Sequence, residues 1–199
     1  MQPDIEQLKT TYKNLSDDKL SSLAINEAAS LRPEALEVLQ AEIKSRGLDE
    51  DIANGISAQL IDTGSLEFDG YVSLIRSQPC PVCAGTLLPL NAAVIGIVKS
   101  FILVTQYKKK VMIACPNCLQ NANQSATNTT ALLGWWGLPW GIIRSAQALT
   151  RNVKSARQLR SGEPTDTLIS FIKTNIGVIE GVRKNKQSLG FMLDSVNKR

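Results

Sequence analysis

Histidine is absent from all 199 residues of this chain. Its absence removes the commonest general base and every Ser–His or Cys–His nucleophile pair. Any zinc site must then use cysteine or carboxylate ligands. No glycine-rich stretch leads into a Gly-Lys-Ser/Thr, so a phosphate-cradling P-loop is excluded. Met1–Asn14 is polar and carries acids, with no apolar stretch and no cleavage site, so no secretory leader is expected there. Cysteine is scarce, at four residues. Without export these stay reduced, which favours metal over disulfides. The glycosylation sequons at Asn123 and Asn128 then have no expected use.

What is present is ordinary in bulk and uneven in distribution. Hydrophobic residues make up 43% and charged residues 20%, as in soluble globular chains of one or two domains. Residues 1–66 hold 6 Lys/Arg against 12 Asp/Glu, net −6. Residues 67–150 hold 6 against 2, net +4, and residues 151–199 hold 10 against 4, net +6. An acidic head and a basic tail imply modules with different partners, or modules that attract one another.

The four cysteines form two matched turns, Cys80-Pro81-Val82-Cys83 and Cys115-Pro116-Asn117-Cys118. Each places two sulfurs on one side of a turn, and two such turns close a tetrahedral thiolate shell. Such a shell has no open position for water, so the expectation is one structural zinc held by Cys80, Cys83, Cys115 and Cys118. The pairs are 31 residues apart, longer than the roughly 15–20 of common ribbons. A sizeable β-hairpin between them accounts for the excess. Three readings compete, one of them four structural cysteines that bind nothing. A thioredoxin-like dithiol uses one CxxC on a βαβ scaffold, not two paired turns. An iron–sulfur cluster takes four thiolates but usually at closer spacings.

Along the chain, residues 1–62 read as helices. Ile5, Leu8 and Tyr12 share a stripe. Ser16 stands at an N-cap position, with Asp17 and Asp18 in the first turn of a helix facing inward through Leu20, Leu23 and Ala24. Pro33 opens a third helix that Gly47 stops, and a fourth runs from about Asp49 to Leu60. Thr63–Gly70 reads as a linker and Tyr71–Ile75 as a short strand. Strands follow over Ala92–Lys99 and Phe101–Gln106. A turn at Tyr107–Lys109 would put Lys108, Lys109 and Lys110 at a basic hairpin tip, either a solvated turn or a phosphate-binding one. Asn121–Thr130 is polar and reads as a loop or an irregular helix start. Ala131–Ile143 is uncharged for 13 residues and holds Trp135, Trp136 and Trp140, too short to span a bilayer. It reads as packed core or dimer interface, with membrane contact and stacking on bases as the other readings. Helices are expected from Pro139 to Leu149, over Thr165–Val178 and over Ser188–Val196.

The double CPxC followed by GWWGLPWGIIRSAQAL resembles a group of uncharacterised bacterial proteins that share paired zinc knuckles and a GWWGxPWGxI stretch. The resemblance covers Pro79–Asn152. It implies a bacterial protein, intracellular or at a membrane's periphery, with the four cysteines as ligands and no catalytic residues to carry over. The combined expectation is an α+β chain in three domains: an acidic helical one (1–66), a central β-rich zinc ribbon (67–130), and a Trp/Gly segment with basic C-terminal helices (131–199). Its expected role is a non-enzymatic interaction or scaffold protein in the cytoplasm, with a protein partner or a second copy of itself and no small-molecule substrate. Nucleic-acid binding and peripheral membrane attachment through the Trp segment are the alternatives.

Overall fold

The first four helices fall where the apolar period places them, although the Ser16 side chain at the N-cap of the second makes no capping hydrogen bond. The computed structural model describes residues 4–48, 50–101, 104–133 and 140–198. They form α1 (Ile5–Lys13), α2 (Asp17–Glu27), a 3-10 turn (Ala28–Ser30), α3 (Pro33–Ser45), α4 (Glu50–Gln59) and α5 (Leu66–Arg76). Then come β1 (Asn91–Phe101), β2 (Val104–Ala114), α6 (Pro116–Leu133), α7 (Trp140–Arg160), α8 (Asp166–Val182) and α9 (Lys186–Lys198). The chain divides into two compact units. Unit 1 is Met1–Tyr71 with Phe171–Leu189, and unit 2 is Val72–Ser170 with Gly190–Arg199.

In unit 1, Tyr12, Leu20, Ala24, Leu39, Ile43, Ile52 and Ile56 form one buried apolar cluster. Arg46 ties α1 to α3. It donates to the backbone oxygens of Tyr12, Lys13 and Leu15 and pairs with Asp17 and Glu42. The carbonyls left open beyond the last turn of α1 thereby gain a partner. Gly47 follows with φ +61°, the left-handed stop that a helix end commonly takes. Gly177 of α8 lies against the backbones of Ile25 and Gly55, where a side chain has no room. Tyr71 donates to the buried Glu180 carboxylate at 2.6 Å.

Unit 2 is built on one antiparallel hairpin, in register from Asn91 opposite Ala114 to Phe101 opposite Val104. The alternate backbone groups that point away from the ladder meet side-chain amides. Asn152 of α7 both donates to and accepts from Gly96, each at 3.3 Å. Asn197 of α9 does the same for Ile113, each at 2.8 Å. Thr165 donates to the Ala92 oxygen at 2.6 Å. These amides stand where a further strand would pair, so they occupy edge groups that would otherwise be open.

This architecture corrects the expected α+β class with a central β-rich ribbon. The protein is mostly helical, and its only sheet among the described residues is the two-stranded hairpin. Tyr71–Ile75 is not a strand but part of α5. Phe68, Tyr71, Val72 and Ile75 are all buried and recur at helical spacing. Asn121–Thr130 is helical within α6, although Asn, Ser and Thr are weak helix formers. Leu119, Asn123, Ala126 and Thr130 make a buried stripe there, so tertiary burial overrides propensity. The turn expected at Tyr107–Lys109 lies inside β2. Lys108, Lys109 and Lys110 are exposed on that strand opposite Ile97, Gly96 and Ile95, so they do not form a tip.

Candidate metal centre

The hairpin register brings the two cysteine pairs together. β2 ends at Ala114, opposite the first residue of β1. Cys115 follows immediately, and the chain entering β1 carries the first pair. All four Sγ atoms lie within 4.8 Å of one another. Cys80 and Cys115 are buried, Cys118 is half-buried and Cys83 is exposed.

The two turns are built differently. In the first, the Ala84 N–H donates to the Cys80 oxygen at 2.7 Å and the Cys80 N–H to the Gly85 oxygen at 2.9 Å. Closing this loop puts Ala84 at φ +57°, the left-handed region that favours glycine. Gly85 passes so near Cys83 that a Cβ there would sit 3.3 Å from its sulfur. The second pair is the start of a helix. Pro116 takes the first helical position of α6, where its missing N–H costs nothing and its φ is already suitable. The Leu119 N–H donates to the Cys115 oxygen at 3.0 Å, so Cys115 stands at the helix entrance. A thiolate there meets free N–H groups and the positive end of the helix dipole.

Hydrogen bonding differentiates the sulfurs. Burial pushes the Cys80 thiol up, but the backbone N–H groups of Cys115, Cys83 and Val82 outweigh it and bring its pKa down to about 7. The Cys115 N–H lies 3.3 Å from the Cys80 sulfur. Burial raises Cys115 above an ordinary thiol despite the Cys118 N–H. It also raises Cys118, helped by the neighbouring Cys115 and Cys83 sulfurs. Four thiolates this close repel one another, and a cation among them is what lets all four ionise. The geometry fits that cation. The Cys83 and Cys115 sulfurs are 3.8 Å apart, matching the edge of about 3.8 Å in a tetrahedron with metal–sulfur arms of about 2.3 Å.

Among the described residues, these cysteines are the one cluster of three or more Cys, Asp or Glu placed to hold a metal ion. Trp135 and Trp136 lie outside the described residues. Trp140 is the first residue of α7, and its side chain also lies outside them. The sequence reading overlooked Asn152 and Asn197, since a polar residue in a helix carries no mark of a strand-edge partner. It also overlooked Cys115 as a helix entrance, although Pro116 followed by a long breaker-free run was the available signal. No helix among the described residues is long and apolar enough to cross a membrane. Comparisons with protein-family models, with curated proteins and with solved structures return no match.

Proposed function

We propose that this chain is a non-enzymatic interaction protein, and that a structural zinc ion at Cys80, Cys83, Cys115 and Cys118 holds its second unit in shape. The observation that carries the reading is the convergence of four sulfurs from both ends of one hairpin. A metal there joins the loop before β1 to the start of α6 and closes the open end of the two-stranded sheet. A two-stranded hairpin alone is marginal in water, so such a clasp has structural value. All four ligand positions are protein sulfurs, which leaves no place for water or substrate at the ion. Zinc fits a cytoplasmic chain with reduced thiols, and the likeness of the paired CPxC turns to bacterial zinc-knuckle proteins points the same way.

Metal analysis of the purified protein tests this directly. One zinc per chain is expected, abolished by Cys115→Ser. Iron at the same stoichiometry, or no metal with a reversible Cys80–Cys83 disulfide, would overturn it in favour of electron transfer or dithiol chemistry.

A further inference from the structure

From Gly70 to Gly162 the chain contains ten Lys and Arg and no Asp or Glu. This span makes up most of unit 2. Its longest helix, α7, places part of that charge on one side. At 3.6 residues per turn, Ser145, Ala148, Asn152 and Leu159 share a stripe, and all four are buried. The opposite stripe holds Ile142, Ile143, Val153, Lys154, Arg157 and Arg160. The three aliphatic side chains are 41%, 46% and 51% exposed, and the three cations are exposed too.

We propose that this face of α7 docks on an anionic lipid bilayer, with α7 lying in the interface. The inference rests on the reading of unit 2 as a metal-held interaction module and names its partner. Charge complementarity selects a polyanion, and the isoleucines and valine select among polyanions. A phosphodiester backbone makes no use of branched aliphatics set among cations. A bilayer interface takes both, burying the apolar side chains near the acyl boundary while Lys and Arg reach the headgroups. The sequence just before this stripe is uncharged and holds all three tryptophans, the residue type enriched where bilayer meets water. α7 is not apolar enough to cross, which leaves surface attachment.

The test uses the full-length, metal-loaded chain and vesicles of phosphatidylcholine with or without phosphatidylserine. Co-sedimentation is expected with the anionic vesicles only, and it should weaken as salt rises. Combined Lys154→Gln, Arg157→Gln and Arg160→Gln should weaken binding about a hundredfold, and Ile142→Asn with Ile143→Asn about tenfold. Thr150→Glu, which puts a negative charge on the same exposed face at the cost only of the hydroxyl's bond to the Ala146 oxygen, should weaken it as well. Circular dichroism and metal content are read on each variant. No binding to either vesicle would overturn the proposal, as would full binding by the triple variant. So would tight binding of a labelled oligonucleotide that ignores the isoleucine changes while vesicles go unbound, since the surface would then read nucleic acid. A chain that lacks metal refutes the reading of unit 2. One metal per chain, intact helicity and no vesicle binding refutes only the docking.

Discussion

The two units differ in charge and in the polar groups they bury. Unit 1 carries 10 Lys/Arg and 15 Asp/Glu, net −5, whereas unit 2 carries 12 and 3, net +9. Among the described residues of unit 1, the buried polar side chains are Gln59 and Glu180, set in an aliphatic interior. Unit 2 buries Gln78, Asn91, Asn123, Thr130, Ser145, Asn152 and Thr165. Asn123 Oδ1 and Ser145 Oγ have no hydrogen-bond partner among its described residues. Burying apolar surface stabilises without direction. A buried amide stabilises only when its partners are in place, and costs about 1–3 kcal/mol when they are not. Both units bury an apolar core, and unit 2 adds buried polar side chains that must find partners and the four-cysteine cluster beside its hairpin.

The largest break in this comparison comes from the metal. Structural zinc sites contribute about 10 kcal/mol of binding free energy to the fold. Chelation of the full chain should therefore raise hydrogen exchange across β1, β2 and the start of α6, while α1–α4 keep their protection. Equal loss in both regions would erase the distinction. The same site sets a pH dependence. With Cys115 and Cys118 raised, both hold protons when no metal is bound and must release them to bind it. Affinity should fall as pH falls, by at least about a hundredfold per unit for these two protons, and more steeply below the Cys80 pKa of about 7, where that thiol holds a proton as well. Titration calorimetry across pH 6–8, roughly the range where the ligands compete with protons, reads this slope.

A side chain at Gly177 tests unit 1 in turn. Gly177→Ala meets the backbone oxygens of Ile25 and Gly55, which cannot give way as a flexible side chain would. A loss of about 3 kcal/mol is expected by denaturant unfolding, with metal content unchanged. Asn152→Leu is the matching test in unit 2. It keeps the branched shape and heavy-atom count but strands the Gly96 N–H and carbonyl, for a cost of about 2 kcal/mol. If it proves neutral, the strand-edge amides add nothing to the burial that holds unit 2. The smallest effect is a gain. Ala84→Gly removes the left-handed strain in the first cysteine turn. After the added freedom of the unfolded glycine is subtracted, it should stabilise the metal-loaded protein by about 0.5 kcal/mol.

Local signals were sufficient where the decisive contacts are local. Pro33 at the first position of α3, Gly47 at its end, and the spacing of Leu20 with Ala24 and of Leu39 with Ile43 marked α2 and α3. The hairpin between the cysteine pairs was legible from their separation, but its turn was not. A turn at Tyr107–Lys109 would have put Lys108, Lys109 and Lys110 at the tip. The register instead runs unbroken through them, and an exposed strand tolerates charge that a covered strand would exclude. α5 was missed because the strand reading began at Tyr71 and left out Phe68, which completes the helical stripe.

By itself, the sequence determined the composition of the four-cysteine cluster. With no histidine and four cysteines in matched turns, an all-thiolate site was the simplest one available. It also determined the charge contrast between the ends of the chain. Only the tertiary structure decided that Cys83 is the exposed member of the four, and that two asparagines from α7 and α9 serve as strand-edge partners. Each of these depends on residues brought together from 30 or more positions apart, such as Cys80 with Cys115, Gly96 with Asn152 and Ile113 with Asn197. Helix period and caps act within a few residues and can be read in order along the chain. The position of a sulfur in a shell, or of an amide beside a strand, is set by packing, which no single stretch of sequence records.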